Sequence, residues 1–319
     1  MIYQLLKPLA RIYLKIACRN IKINHPHQLK HKGPLLLACN HPNSFLDGLV
    51  LAILFDKPVH SLARGDAFNR KWHAKLLRLL NIHPVYREKE GKGLVPLNYK
   101  TFAICKEIFK QNGIVLIFSE ALCVNEWKLR PLRKGTARMA FDSWTGNIPL
   151  TVLPVGMNYD SFDSFGKNII LNFGKEIRKN DFDFSNNDGK NLVVFNQMLE
   201  EELKKAVIEI SSDDKATIRQ TFFVQVNPIK KKLFAIPALI GYVIHAPLFF
   251  LTKSFVKRKA FNTGHYDSIL AGVLFLSYPF YLLMILIIAF IITQSWWSLL
   301  LIPLLPFTAW SVIQLKPQA

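Results

Sequence analysis

Between Gly33 and Gly174 the chain runs as short apolar segments separated by polar stretches of helical length. Pro34–Cys39, Val59–Ala63, His83–Tyr86, Ile114–Phe118, Leu150–Val155 and Asn168–Phe173 have the length and composition of strands. Runs such as PLLLAC and IVLIF are apolar without alternation, the pattern of strands covered on both faces. Asp47–Phe55, Lys71–Leu80, Asn98–Gln111 and Lys134–Ser143 are spaced as helices. Strands alternating with helices imply an α/β domain whose largely internal mixed sheet is flanked by helices. Asn180–Lys190 is a turn-rich surface segment, and Asn191–Ser211 a periodic helix able to pack back on the domain.

Both ends of the chain depart from this pattern. In Met1–Asn24, Lys7, Arg11, Lys15, Arg19 and Lys22 recur every three or four residues, which puts every charge on one helical face and leaves Leu5, Leu9, Ile12 and their neighbours on the other. Such a helix suits a bilayer interface, with its cations toward anionic headgroups, or else packs on its own domain. Charge at every turn leaves no apolar core for a cleavable signal peptide. After Pro228 the chain becomes nearly continuous hydrocarbon. Leu233–Thr252 is about long enough to span, but Lys230–Lys232 and Lys253–Lys259 flank it equally, so a re-entrant or interfacial segment is expected. Ser268–Thr293 and Trp296–Val312, joined by Gln294-Ser295, form an expected transmembrane hairpin over 268–313. The chain therefore divides into an interface helix (1–30), an α/β domain (31–228) and a membrane region (229–319). The cationic outer ends of the hairpin place the α/β domain on the cytoplasmic side of an inner, cytoplasmic membrane.

Composition sharpens this division. The 319 residues carry a formal charge of +19 yet are 50% hydrophobic, which excludes a disordered polycation. From Lys230 onward there are eight basic residues and a single acid, Asp267, set in apolar sequence. That is the pattern of a membrane protein with anionic lipid beside it, and no nucleic acid is expected as a partner. Cys18, Cys39, Cys105 and Cys123 match no zinc or redox spacing and read as buried free thiols of a reducing compartment; no metal is expected.

Chemistry gathers where strands end. Asn40-His41-Pro42-Asn43-Ser44-Phe45-Leu46-Asp47 follows a buried strand and opens an apolar helix, and the chain holds no Asp or Glu before Asp47. An imidazole with one nitrogen held by a carboxylate offers its other nitrogen as a general base. The bland alternative is a helix-start turn capped by Asn43 or Ser44, with His41 exposed. Ile82–Arg87 delivers Arg87 at a strand's end, and Phe118-Ser119-Glu120-Ala121 precedes the cationic stretch Lys128–Thr136. Arginine suits a bidentate grip on phosphate, and Gly135 at a helix start lets backbone amides join. Each basic cluster taken alone reads as a solvated face sooner than as a site; their joint order is what points to one.

The joint order of these blocks, from about Gly33 to Ile177, resembles the glycerolipid acyltransferase family, which includes glycerol-3-phosphate and 1-acylglycerol-3-phosphate acyltransferases. Asn40-His41 to Asp47 is similar to the family's Asn-His-x-x-x-x-Asp block, Ile82–Arg87 to its arginine block, and Phe118–Ala121 with Lys134-Gly135 to its Phe-Pro-Glu-Gly block and the basic-Gly pair beyond it. Ile148–Val155 is similar to its apolar Val-Pro-Val block. The resemblance implies acyl transfer from acyl-CoA or acyl-carrier protein, as co-substrate and without another cofactor, to a hydroxyl of a glycerol-phosphate acceptor. It implies catalytic roles for His41 and Asp47, and substrate binding by Arg87, Glu120, Ser119, Lys128, Arg130, Arg133, Lys134 and Gly135. An acylated amino acid or a lysophospholipid as acceptor, or a non-catalytic lipid-binding protein of the same fold, are the alternatives. Five residues separate His41 from Asp47 where the family block has four, which in an unbroken helix would turn Asp47 by about 100°. Asn81, Ser119 and Ala121 replace the family's Gly, Pro and Gly, and the arginine that follows the glutamate block is absent; Lys128, Arg130 and Arg133 are its expected substitutes.

Overall fold

A computed structural model of the chain describes residues 2–86, 92–184 and 188–318. Seven strands form one mixed sheet: β1 (Cys18–Ile23), β2 (Leu35–Cys39), β3 (Val59–Arg64), β4 (Ile82–Val85), β5 (Ile114–Phe118), β6 (Thr151–Tyr159) and β7 (Lys167–Phe173), in the order β1-β7-β6-β2-β5-β3-β4. β2 to β6 run parallel; β7 lies antiparallel to β6, and β1 parallel to β7. The C-terminal ends of β2, β5 and β6 and the starting residue of β7 thus share one edge. All six strands expected from the sequence are present.

β1 is the seventh, and it corrects the expectation of a single helix over the first 24 residues. The N-terminal helix α1 (Ile2–Ala17) stops before it. From Cys18 the chain pairs with β7, Ile21 opposite Ile169 and Ile23 opposite Leu171. Arg19 and Lys22 continued the helical charge spacing, but Ile21 and Ile23 follow the two-residue period of a strand. The cations of α1 also face differently from expectation. Lys7 Nζ donates to the carbonyl oxygens of Phe55 (2.5 Å) and Asp56 (3.2 Å), and Arg11 Nε to that of Ile53 (3.1 Å). They cap the C-terminal end of α2 (Phe45–Leu54), where helix carbonyls lack partners and cations are favoured. Leu5, Leu9 and Ile12 remain exposed.

Two cores sandwich the sheet. Leu35, Leu37 and Cys39 face Val50 and Leu51 of α2 and Ala10 and Leu14 of α1. Leu36 and Ala38 face Cys105 and Phe109 of α4 (Asn98–Lys110), Trp144 of α5 (Gly135–Thr145) and Phe195 of α6 (Asp188–Ala206), with α3 (Lys71–Leu79) crossing from β3 to β4. Successive side chains of a strand point to opposite faces, so a strand covered on both must be apolar throughout.

A short α7 (Lys215–Phe222) leads to three long apolar helices, α8 (Pro228–Ala260), α9 (Tyr266–Thr293) and α10 (Leu301–Leu315), the last preceded by one turn at Trp296–Leu300. With that turn included, all three elements are long and apolar enough to cross a membrane. α9 and α10 form a helical hairpin, the chain reversing at Gln294 in the left-handed region (φ +50°). The segment 233–252 is no re-entrant loop. It is the middle of one continuous helix of 33 residues, about 50 Å long. α10 lies so close to α8 that a Cβ on Gly241 would sit 2.4 Å from the Thr308 carbonyl oxygen, and His245 Nε2 reaches the Leu305 carbonyl at 3.1 Å. Near its start, Lys230 bonds Gln314, whose amide donates to Arg19 O; near its end, Val256 and Ala260 pack with Tyr13, Phe165 and Tyr266. The end of α8 is thus seated on the globular domain through Val256 and Ala260 and its start reaches it through Gln314, while Lys231, Lys232, Lys253, Lys257, Arg258 and Lys259 are exposed.

Candidate active site

The parallel strands end at the site. After β2, Asn40 exchanges two hydrogen bonds with Met157 of β6, its Oδ1 accepting from the amide (2.7 Å) and its Nδ2 donating to the carbonyl (3.1 Å). This buried clamp fixes where the chain leaves the sheet. His41 follows at once, and its Nδ1 lies 2.9 Å from Asp47 Oδ2. The extra residue between them is absorbed at Ser44, whose φ of 52° and ψ of −135° turn the chain sharply before α2 begins. Asp47 then points back at the loop, where Oδ2 also accepts from the Asn43 amide (2.8 Å). Neither Asn43 nor Ser44 caps α2 through its side chain, so the bland reading of this turn does not describe it.

Burial divides the pair's roles. The Asp47 side chain is fully buried, while the His41 side chain keeps 18% exposure. Asp47 faces Tyr159, and burial first, then this carboxylate, push the Tyr159 hydroxyl well above its usual pKa. The His41 ring stacks on Phe118 with centroids 3.7 Å apart. With Nδ1 held by Asp47, Nε2 is the nitrogen left for chemistry.

Glu120 and Ser119 are both tied into the scaffold around His41. Both Glu120 oxygens accept backbone amides, Oε2 from His41 (2.9 Å) and Oε1 from Arg130 (2.8 Å). Glu120 joins the histidine loop to the cationic stretch. Burial raises its pKa, against the lowering effect of the two amide bonds. Ser119 is buried, its hydroxyl 3.0 Å from that of Thr136.

The cationic residues present a graded surface. Lys128, Arg133 and Lys134 are exposed, whereas Arg130 is half-buried and ion-paired with Glu126 at 2.6 Å. No side chain caps α5, which starts at Gly135, where a Cβ would meet only Ile117 Cδ1 at 3.9 Å. Arg87 lies outside the described residues. Tyr86 before it is held at both backbone groups by Asn98, at 2.8 and 2.7 Å.

Residues that the sequence did not single out complete the site. Cys123 Sγ accepts from the Ser44 amide at 3.0 Å, and burial pushes its thiol up to about 12. Asn43, Ser44 and Leu46 are engaged by Asp267, His265 and Ser268 at the start of α9, more than 200 positions away, and Asp267 is in turn paired with Lys167. One signal was available: Asp267, the single acid of a cationic, apolar tail. An ionisable group in such a segment calls for a partner. Among the described residues no group of three or more His, Cys, Asp or Glu is arranged to hold a metal ion.

Residues 20–158 match the family model described as Acyltransferase. No curated protein matches the chain. Among solved structures, the crystal structure of the 1-acyl-sn-glycerophosphate (LPA) acyltransferase PlsC from Thermotoga maritima aligns with a TM-score of 0.42 and 10% identity, over 64% of this chain and 78% of that one.

Proposed function

We propose, from the premise that residues 20–158 are an acyltransferase domain, that the protein moves a fatty acyl group from a thioester, acyl-CoA or acyl-carrier protein, to a hydroxyl of 1-acylglycerol-3-phosphate or glycerol-3-phosphate. The observation that carries this reading is the His41–Asp47 contact of 2.9 Å at the C-terminal ends of the central strands, beside an exposed cationic stretch. His41 Nε2 takes the acceptor's hydroxyl proton as the oxygen attacks the thioester carbonyl. Asp47 holds Nδ1–H and stabilises the imidazolium that forms. Collapse of the tetrahedral intermediate breaks the C–S bond, and the imidazolium returns its proton to the departing thiolate. One ester forms, one thioester is lost, and His41 is neutral again.

Lys128, Arg133 and Lys134, with Arg87, would receive the acceptor's phosphate, while Glu120 keeps His41 and Arg130 in register. The contact between His41 and Asp47 argues against a non-catalytic lipid-binding protein, since the longer spacing has not parted the pair. Apolar helices next to the site suit a product whose acyl chains belong in a bilayer, with the domain on the cytoplasmic face of the inner membrane. The test offers labelled acyl-CoA and acyl-carrier protein in parallel with glycerol-3-phosphate, 1-acylglycerol-3-phosphate, an acylated amino acid and a lysophospholipid. Labelled phosphatidic or lysophosphatidic acid is the expected product; a label found only on the amino acid or the lysophospholipid would overturn the acceptor assignment.

A further inference from the structure

The start of α9 grips the catalytic loop. Asp267 Oδ2 accepts from Asn43 Nδ2 at 2.7 Å and pairs with Lys167 Nζ at 2.6 Å, all three side chains being buried. Ser268 Oγ donates to the Asn43 carbonyl (2.8 Å) and accepts from the Leu46 amide (3.0 Å). His265 Nδ1 lies 2.7 Å from Ser44 Oγ. In the turn between α8 and α9, Gly264 comes close to Asn125, whose side chain bonds the Pro42 carbonyl at 2.7 Å. The loop between His41 and Asp47 is thus held from the C-terminal region at Asn43, Ser44 and Leu46.

These contacts fall on the part of the chain that departs from the family spacing. A loop one residue longer has an additional backbone unit to fix, here at the left-handed Ser44. The groups that fix it lie beyond residues 20–158, on the first turn of a helix that has the length and composition of a membrane span. Lys167 belongs to the same arrangement because β7 runs antiparallel to β6: β2 ends level with Phe173, the last residue of β7, so the first residue of β7 lies past the end of β2, on the side where the histidine loop leaves the sheet. Its ammonium is also anchored to the Ser161 carbonyl at 2.6 Å, which makes the sheet edge a fixed seat for Asp267.

We propose that His265, Asp267 and Ser268 are positioning residues of the active site, which hold residues 43–46 so that Asp47 meets His41. The C-terminal helices are then part of the catalytic apparatus as well as an anchor, and the site is competent only while α9 is seated. This inference rests on the reading of His41 and Asp47 as the catalytic pair. Displacing a catalytic group by about 1 Å through a distant change costs up to about a hundredfold in rate.

The test uses the full chain in lipid nanodiscs. Ser268→Ala removes one loop contact on each side of Asn43–Leu46 without stranding a charge. It is expected to lower kcat by about ten- to a hundredfold while KM for the acceptor stays within about twofold, because phosphate-binding groups are untouched. Hydrogen exchange read by mass spectrometry is expected to rise in the peptide covering 42–47 and to stay unchanged in peptides covering β2 and β5. Asp267→Asn should act in the same direction; if the buried Lys167 prevents its folding, Ser268→Ala decides alone. Unchanged exchange across 42–47 in Ser268→Ala overturns the proposal, as does an unchanged kcat. If the wild type itself transfers no acyl group, the functional reading fails, and the exchange result alone decides whether α9 holds the loop.

Discussion

Replacing Asp47 by asparagine isolates the charge on which the His41 base depends. Oδ2 of Asp47 receives both the Asn43 amide and His41 Nδ1, so an asparagine can leave its carbonyl oxygen there and turn its amide group toward the Tyr159 hydroxyl. Packing and hydrogen bonding then survive while the negative charge is lost. Two unit charges about 4 Å apart attract by about 4 kcal/mol at an effective dielectric near 20. This attraction exists when His41 is protonated, which is the state reached as the acceptor hydroxyl gives up its proton. At about 1.4 kcal/mol per decade, its loss lowers kcat about 10³-fold. Stability should hold, because a buried carboxylate is exchanged for a neutral group; Tm is expected to stay within about 4 °C of wild type. The assay is initial-rate transfer of a labelled acyl group to the acceptor used by the wild type, with thermal unfolding run on the same sample. An Asp47→Asn protein with unchanged Tm and a kcat within tenfold of wild type would refute the argument.

Three further outcomes test other parts of the structure. Glu120→Gln sets an amide donor against a backbone N–H of His41 or Arg130 and removes a charge-assisted bond of about 1.5–3 kcal/mol, so both Tm and kcat should fall; an unchanged Tm would show that these bonds do not hold the loop. His60 faces His83 at 3.1 Å, and burial first, then His83, lower its pKa to about 4. Below its ordinary value near 6.5 the unfolded chain takes up this proton before the folded one does, so stability falls as pH drops from about 6.5 to 4, by about 1–2 kcal/mol after allowance for solvent; His60→Gln should flatten that slope in thermal unfolding, and an equally steep slope would exclude His60 as its source. Gly241→Val drives a side chain into the Thr308 backbone and should destabilise the α8–α10 contact by about 1–3 kcal/mol, read as a lower Tm in detergent, with no change there counting against this close approach.

The legible parts of the fold were those with a strong local signal. β2, β5 and β6 are largely apolar runs whose burial on both faces leaves little choice of residue, and the helices between the strands keep a regular period. β1 was hidden because Arg19 and Lys22 extend the charge spacing of α1, while the pairing that makes it a strand comes from β7, almost 150 residues later. The cations of α1 had the right periodicity, but local sequence does not say that Lys7 and Arg11 face the end of another helix.

For the site, sequence order brought His41, Asp47, Glu120 and the cationic stretch into one hypothesis. Whether His41 and Asp47 could meet depended on one backbone conformation, that of Ser44, which residue identity alone does not specify. Ser119 and Glu120 stood in a motif expected to touch substrate, yet their polar atoms are engaged with Thr136 and with backbone amides. The contacts from His265, Asp267 and Ser268 span more than 200 residues, and the lone acid at position 267 was their one visible sign.

Acyl transfer by His41→Ala beside wild type is the most direct measurement of the central claim, made on nanodisc-embedded protein with labelled acyl-CoA or acyl-carrier protein and 1-acylglycerol-3-phosphate. The account predicts labelled phosphatidic acid from the wild type and a rate lower by about 10²–10⁴ in the variant, the range that a positioned general base contributes. A folded His41→Ala protein that transfers at the wild-type rate would contradict it.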